Sequence, residues 1–424
     1  MTMHPKARRT SPLSMSPLDR RTFLRGSLAV SAGAAGASLL AACGSDSGGG
    51  GGGGSATEGP YPLARPDSPV TLPLSDDNPA IDDNLPPEKG GIFKILNYAD
   101  YMAPGVMKDF GAKYDVEVEV TPYNNYDEML AKLRQPNATF DLVFPGPTVL
   151  SKMVYAKLIQ PFNQTYLTNV GNIWDEYQSP WYDVGGQYTM PYTVYTTGVA
   201  YRRDRVDTVP DNGYDLFWDP QYDGKTYILD DRGEAITMSL LRNDITTDVN
   251  TGNPEFINAA TDSLIELIDL VSVKTGIQDY VYIPDGTATV HQGWSGDMIA
   301  AQYYLPKGVS TDVLGYWVPD TNRVIGNDVM AVPTGAEKPV LAHMFIDNIL
   351  DNEVSLRNFG WNGYQPPLTA ITAQSLIKDG YIPPNLESAV VLPQDFDKGL
   401  IQAEVSPAVD ALWQNAWARF KAGG

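Results

Sequence analysis

The sequence predicts an α/β protein of two lobes, and three observations carry that expectation. Short apolar runs alternate with helix-period segments from Ile92 onward, the pattern of a mostly parallel sheet flanked by helices. The stretch from about residue 91 to 424 is longer than one hydrophobic core usually serves. Beyond the first 42 residues no run is long and apolar enough to cross a bilayer.

The N-terminus reads as an address. Asp19-Arg20-Arg21-Thr22-Phe23-Leu24-Arg25 sets two adjacent arginines before an apolar pair, and Ser27 to Ala42 follows as a short stretch of small and apolar residues. That layout is a secretory signal of twin-arginine character. Leu40-Ala41-Ala42-Cys43 closes it and resembles the lipobox of bacterial lipoproteins, so Cys43 is the expected lipidation site and first mature residue. Cys43 is also the sole cysteine, which excludes an intrachain disulfide. Residues 43–90, with an unbroken glycine run at Gly48–Gly54 and then many Pro, Asp and Asn, are expected to form a flexible tether.

The chain carries 30 basic and 51 acidic residues, a formal charge of −21, and loss of the first 42 residues takes this to −26. Such a surface excludes nucleic acid as a natural partner and is compatible with attracting cations.

Ile92-Phe93-Lys94-Ile95-Leu96 reads as a buried strand. Pro104 starts a helix with Val106, Met107 and Phe110 on one face. Val116 to Val120 alternates as a half-exposed strand should, and Asn125 with Glu128 forms a capping box for a helix burying Met129, Leu130 and Leu133. Phe140-Asp141-Leu142-Val143-Phe144 is a further buried strand, stopped by Pro145-Gly146-Pro147. Thr193 to Tyr201 is β-rich and is expected to cross between lobes. Amphipathic helices are expected over Ile257–Val271 and around Leu341, Met344, Phe345 and Ile349. Ser406 and Pro407 are N-cap and first-turn residues of a last helix with Val409, Leu412, Trp413, Ala416 and Phe420 inward.

Catalytic chemistry finds little to work with. Of three histidines, His4 leaves with the signal, His343 sits in a helical pattern, and His291 suits ligand contact or packing equally. Cys/His zinc sites and Cys–His nucleophiles are excluded, and no nucleophile elbow, phosphate loop or dinucleotide fingerprint is present. No metal site and no cofactor are implied. A carboxylate-pair hydrolase is the one enzyme class left, with no pair singled out.

Acids and aromatics do cluster where strands and loops end. Tyr98, Asp100 and Tyr101 follow the first strand; Asp230, Asp231 and Glu234 follow Tyr227-Ile228-Leu229. Trp294 and Asp297 share Gly293-Trp294-Ser295-Gly296-Asp297, Asp328 precedes another apolar run, and Tyr364 lies in Asn362–Pro367. One such residue is more often an N-cap or core, but α/β crevices are built from these positions. Rings attract cations and cover methylene chains, while carboxylates bind ammonium groups by charge-assisted hydrogen bonds. An elongated organic cation suits the set. A cationic amino acid, a quaternary amine or a sugar is the alternative guest.

At these same residues the chain resembles the bacterial spermidine/putrescine-binding proteins, receptors of polyamine ABC importers. Asn97-Tyr98-Ala99-Asp100-Tyr101-Met102-Ala103-Pro104 is similar to the family's opening Asn-Trp-x-x-Tyr-x-x-Pro, and Phe140–Pro145 to its second strand. Met190-Pro191-Tyr192 with Thr196-Thr197-Gly198 resembles the crossover, Gly293–Asp297 the Gly-Trp-Ala-Gly-Asp of putrescine-type members, and Asp328 the acid before the second crossover.

The resemblance implies a two-lobed periplasmic-binding-protein fold of type II. Lobe 1 would be 91–198 plus about 329–375, and lobe 2 would be 199–328 plus about 376–424. It implies Tyr98 as a lid ring with Tyr101 beside it, Trp294 as a wall, and Asp328 as principal ammonium ligand. Asp231, Glu234 and Asp297 would be further acids, with Asp100 and Thr148 in the site and Tyr364 and Gln402 closing it. Acids of one lobe and rings of the other would meet on the guest. The partners implied are a polyamine, a membrane ABC permease and, through Cys43, the membrane itself, with the protein exported.

The chain departs from the family at three points. Gly146-Pro147-Thr148 stands where members often carry Ser-Thr-Tyr-like residues, Gly326 where an aromatic is expected, and Arg232-Gly233 interrupts the acidic loop.

Overall fold

The computed structural model describes residues 61–423 apart from Thr247. The signal, Cys43 and the glycine run therefore lie outside the described residues.

Strand β1 (Ile92–Tyr98) is central in a three-stranded parallel sheet, between β2 (Glu117–Tyr123) and β3 (Leu142–Val143). Its apolar side chains are buried on both faces, as parallel strands require, whereas β2 alternates because it forms the sheet edge. Between these strands run helices α1 (Pro104–Tyr114), with proline at its start, and α2 (Tyr126–Leu133). The Asn125 side chain caps α2 through Glu128 N, at 3.0 Å. Glu128 reaches Asn124 N instead of the cap residue, so the reciprocal half of the expected capping box is displaced by one position.

Helix α3 (Leu150–Tyr155) leads to β4 (Ile159–Gln160), and a short helix α4 (Asp175–Gln178) follows. The 13-residue β5 (Met190–Arg202) then enters a seven-stranded sheet. The other members are β6 (Thr226–Ile228), β7 (Lys274–Thr275), β8 (Val290–Trp294), β9 (Leu314–Trp317), β10 (Val324–Met330) and β12 (Leu400–Ile401). This sheet is mixed. Its outer pairs β6–β7, β6–β8 and β10–β12 are parallel, as expected, but β5 is antiparallel to β8, β9 and β10. The reason is that β5 is the crossing segment: its first half pairs β10, and its second half pairs β8 and β9. The remaining strand, β11 (Val332–Pro333), pairs β4 and so returns the chain toward the first sheet.

Helices α5 (Arg232–Arg242) and α6 (Pro254–Val271) pack on the seven-stranded sheet. Helices α7 (Asp279–Asp285) and α8 (Ser295–Ala300) flank β8, while α9 (Pro339–Ile349) and α10 (Asn352–Asn362) cover the first sheet. After α11 (Ala373–Lys378), the last helix is α12 (Pro407–Lys421), capped by Ser406. It buries Trp413, Ala416 and Phe420, but Leu412 is exposed; a window one residue wide separates these positions, and Leu412 falls on the solvent side of it.

The stretch 61–90 corrects the expectation of a flexible tether throughout 43–90. It is irregular, as its prolines dictate, yet Leu63, Ala64, Val70 and Leu72 are buried. Apolar residues spaced among the prolines give it something to anchor with, which composition alone conceals.

Candidate functional site

All eleven expected contact residues line one cleft, divided into two chambers. The smaller, about 110 Å³, takes Asp100, Tyr101, Asp297, Asp328 and Tyr364; the larger, about 240 Å³, takes Thr148, Asp231, Glu234 and Gln402. Tyr98 and Trp294 border both, together with Tyr195. The rings of Tyr98 and Tyr195 each lie 6.4 Å from Trp294, centroid to centroid, so the three form an aromatic partition.

Each group is delivered by a local rule. Tyr98 ends β1 and its side chain leaves the sheet toward the carboxyl edge, where crevices form in α/β folds. Asp100 adopts φ 56°, a left-handed turn conformation that Asp tolerates, and this brings Tyr101 back under the cleft. Asp328 sits at a register shift in β10: it faces Thr193 on β5, whereas Val329 faces Pro191. Pro191 has no N–H to donate to the ladder, so a bulge there costs little and turns the Asp328 side chain inward.

The Asp328 carboxylate accepts from Tyr101 OH and Tyr126 OH, each at 2.7 Å. Burial raises its pKa to about 6, and the two phenol donors partly oppose that rise. Glu234 Oε1 accepts from Trp294 Nε1 at 2.9 Å and from Thr197 Oγ1 at 3.1 Å, while Oε2 is buried without a donor. Burial, then the charge of Asp231, raises the Glu234 pKa to about 7. Asp231 is less free than expected: it caps α5 through Gly233 N (2.8 Å) and Glu234 N (3.1 Å), as Asp does at many strand-to-helix turns. Its role is therefore shared between the helix end and the chamber wall.

Asp297 hydrogen-bonds Tyr364 and lies against Asp279, which is fully buried. Burial and the neighbouring Asp297 charge favour a proton held between the two carboxyls, with the backbone N–H groups of Asp279 and Tyr280 acting against it. Burial holds Asp297 up to about 6 and pushes Asp279 well above the usual carboxylate range, with the Asp297 charge adding to the second effect.

Three contributors escaped the sequence reading: Tyr126, Tyr195 and Asp279. The first two replace what Gly146 and Gly326 lack. A Cβ on Gly326 would come within 2.5 Å of the Tyr195 ring, its cross-strand partner, and one on Gly146 would meet the Tyr126 hydroxyl group. Each glycine makes room for a tyrosine from another element. Arg232 lines the larger chamber, as does Lys152, and it is paired there with Asp127 and, at 2.7 Å, with Asp410. His291 is no ligand: it is buried in β8 with its ring stacked on Tyr227 at 5.4 Å. His343 is structural, bonded to Pro339 O and Asn163 N.

Acids and rings do not segregate by lobe as expected. Asp100 comes from the end of β1 and Glu234 from α5, while Tyr98 and Trp294 face each other from the two sheets. Among the described residues no lysine, arginine or histidine lines the smaller chamber, and no group of three metal-binding side chains is present.

Residues 105–388 match the family model of bacterial extracellular solute-binding proteins, and the chain belongs to that family. It is 25% identical over 330 residues to the spermidine/putrescine-binding periplasmic protein of Salmonella typhimurium, covering 78% of this chain and 91% of that protein. To the putrescine-binding periplasmic protein PotF of Escherichia coli it is 24% identical over 348 residues, with the same coverage. Among solved structures, the spermidine/putrescine ABC transporter substrate-binding protein PotD of Streptococcus pneumoniae superposes with a TM-score of 0.63. There the identity is 19%, over 79% of this chain and 99% of that one. The fold is that of the two-lobed periplasmic binding proteins.

Proposed function

We propose that this extracellular solute-binding protein captures a linear polyamine, putrescine or spermidine, and hands it to a membrane ABC importer. The observation that carries this is the placing of acids in both chambers, on either side of the Tyr98–Tyr195–Trp294 partition, with no basic side chain in the smaller one. Ammonium groups would pair with Asp328, Asp297 and Glu234, and methylenes would pass between the rings. Asp100, Tyr101, Thr148, Asp231, Tyr364 and Gln402 complete the walls.

Lobe 1 is assigned to 91–198 with about 329–375, and lobe 2 to 199–328 with about 376–424, hinged at β5, the β10–β11 passage and the 400–405 segment. Closure buries the guest because only the closed cleft brings both walls to it. The first 42 residues act as a twin-arginine signal and Cys43 as the lipid attachment point, leaving the protein outside the cytoplasmic membrane. Nucleic acid is not a partner, and no cofactor is needed. The hydrolase reading is disfavoured because the family model and the relatives that the chain matches are those of solute-binding proteins.

Calorimetry with putrescine, spermidine, arginine, choline and maltose tests the assignment. Heat from a polyamine is expected; silence from both, with heat from another guest, overturns it. The mass of the mature N-terminus and release by Cys43→Ser test the anchor.

A further inference from the structure

The arm formed by residues 61–91 precedes the stretch that matches the family, yet it is pinned at intervals. Val70 exchanges backbone hydrogen bonds with Trp181 and Val184, Pro73 O accepts from Tyr188 OH at 2.6 Å, and Asn78 Nδ2 donates to Ile159 O at 2.9 Å. The Glu88 carboxylate caps α9 through Val340 N and Leu341 N, at 3.0 and 2.9 Å. All of these hold the arm to the β1–β4 side of the molecule.

The start of the arm makes a different kind of contact. Arg65 Nη1 donates to Glu404 O at 2.8 Å, and the Tyr61 hydroxyl donates to the Glu404 carboxylate. Glu404 is 3% exposed, and its two oxygens also take Ser151 N (2.9 Å) and Lys152 N (3.1 Å), at the first turn of α3. From Glu404 the chain runs back through Ala403, whose N–H donates to Asn250 Oδ1 at 2.7 Å, to Gln402, which reaches Thr237 of α5 at 3.0 Å. Gln402, Ala403 and Glu404 are consecutive residues of the larger chamber's wall. One end of this crossing segment is thus tied to α5 and the other to α3, and the arm grips it at the α3 end. Covering apolar surface would account for Leu63, Ala64 and Leu72, but not for a half-buried guanidinium donating to a hinge carbonyl 339 residues away.

We propose that Arg65 and Tyr61 are positioning residues of the ligand site, bracing Glu404 so that Gln402–Glu404 stands at the place the guest requires. The N-terminal arm is then part of the receptor's affinity, and the same arm leads back toward Cys43. The affinity readout rests on the polyamine reading; the bracing itself does not.

The test uses the full chain with Arg65→Ala, Arg65→Lys and, as a control that loosens the arm far from Glu404, Asn78→Ala. Putrescine and spermidine affinities are measured by calorimetry, and amide exchange at Ser151, Lys152 and Ala403 is followed without ligand. Arg65→Ala is expected to weaken binding about fivefold and speed exchange at all three amides, with Arg65→Lys intermediate. Asn78→Ala should lower the Tm while leaving both readouts unchanged. Affinity within twofold and unaltered exchange in Arg65→Ala would overturn the proposal, as would an equal affinity loss in Asn78→Ala. Should the parent protein bind neither polyamine, the functional reading fails, and exchange at the three amides alone decides the bracing.

Discussion

The indole N–H of Trp294 donates to Glu234 Oε1 at 2.9 Å and leaves Oε2 buried with no donor. A ring that divides the cleft is thereby fixed by an acid whose remaining oxygen is left without a protein partner. Replacing Glu234 by Gln should weaken polyamine binding about tenfold, since a charged hydrogen bond contributes roughly 1.5–3 kcal/mol. The empty protein should become no less stable at pH 8, because the variant removes a buried charge. Calorimetry and thermal melts on the same sample check both directions.

Binding should strengthen as pH rises from 5 to 7. Glu234 titrates at about 7, and Asp328 and Asp297 at about 6, all raised by burial. A folded carboxyl with a raised pKa binds protons more tightly than the unfolded chain. The empty protein therefore gains stability as pH falls through that window and loses it as pH rises. A cation favours the ionised forms, so its affinity moves the opposite way. The expected change is about tenfold between pH 5 and 7; a flat profile would show that these acids do not meet the guest.

Asp328→Asn should cost at least about tenfold in affinity. Tyr126→Phe and Tyr101→Phe each remove one donor from the same carboxylate. Each should cost less than Asp328→Asn and shift the acid limb of the pH profile upward, because the charged form loses a partner. Affinity measured at three pH values separates these effects.

Gly326→Trp, which restores the aromatic expected of relatives, should destabilise the protein because the Tyr195 ring already fills that space. Tyr195→Gly in the same chain should recover most of the lost Tm. Overpacking typically costs about 1–3 kcal/mol, and neighbouring substitutions are non-additive, so a double-mutant cycle is the measurement.

Much of this site was legible before any coordinates. Tyr98, Trp294, Asp297 and Asp328 stand where strands and turns end, and strand ends converge in an α/β fold. Local rules also gave Pro104, Asn125 and Ser406 their correct helix starts. What sequence could not show depends on pairing over long separations. Tyr195 reaches the cleft only because β5 lies against β10, and Asp279 matters only because α7 brings it against Asp297. For Asp231 the sequence left cap and ligand open, because both readings share one residue type at one kind of turn, and the structure shows the cap. The antiparallel course of β5 was hidden for the same reason: an apolar run looks identical in either direction.

An all-acid, phenol-lined smaller chamber has a practical corollary at the bench. Because its charged side chains are all acids, protonated Tris, imidazole carried over from purification and sodium are expected to compete for it. Titrations run in Tris should therefore return weaker apparent constants than those in phosphate, and exhaustive dialysis becomes part of defining the unliganded receptor.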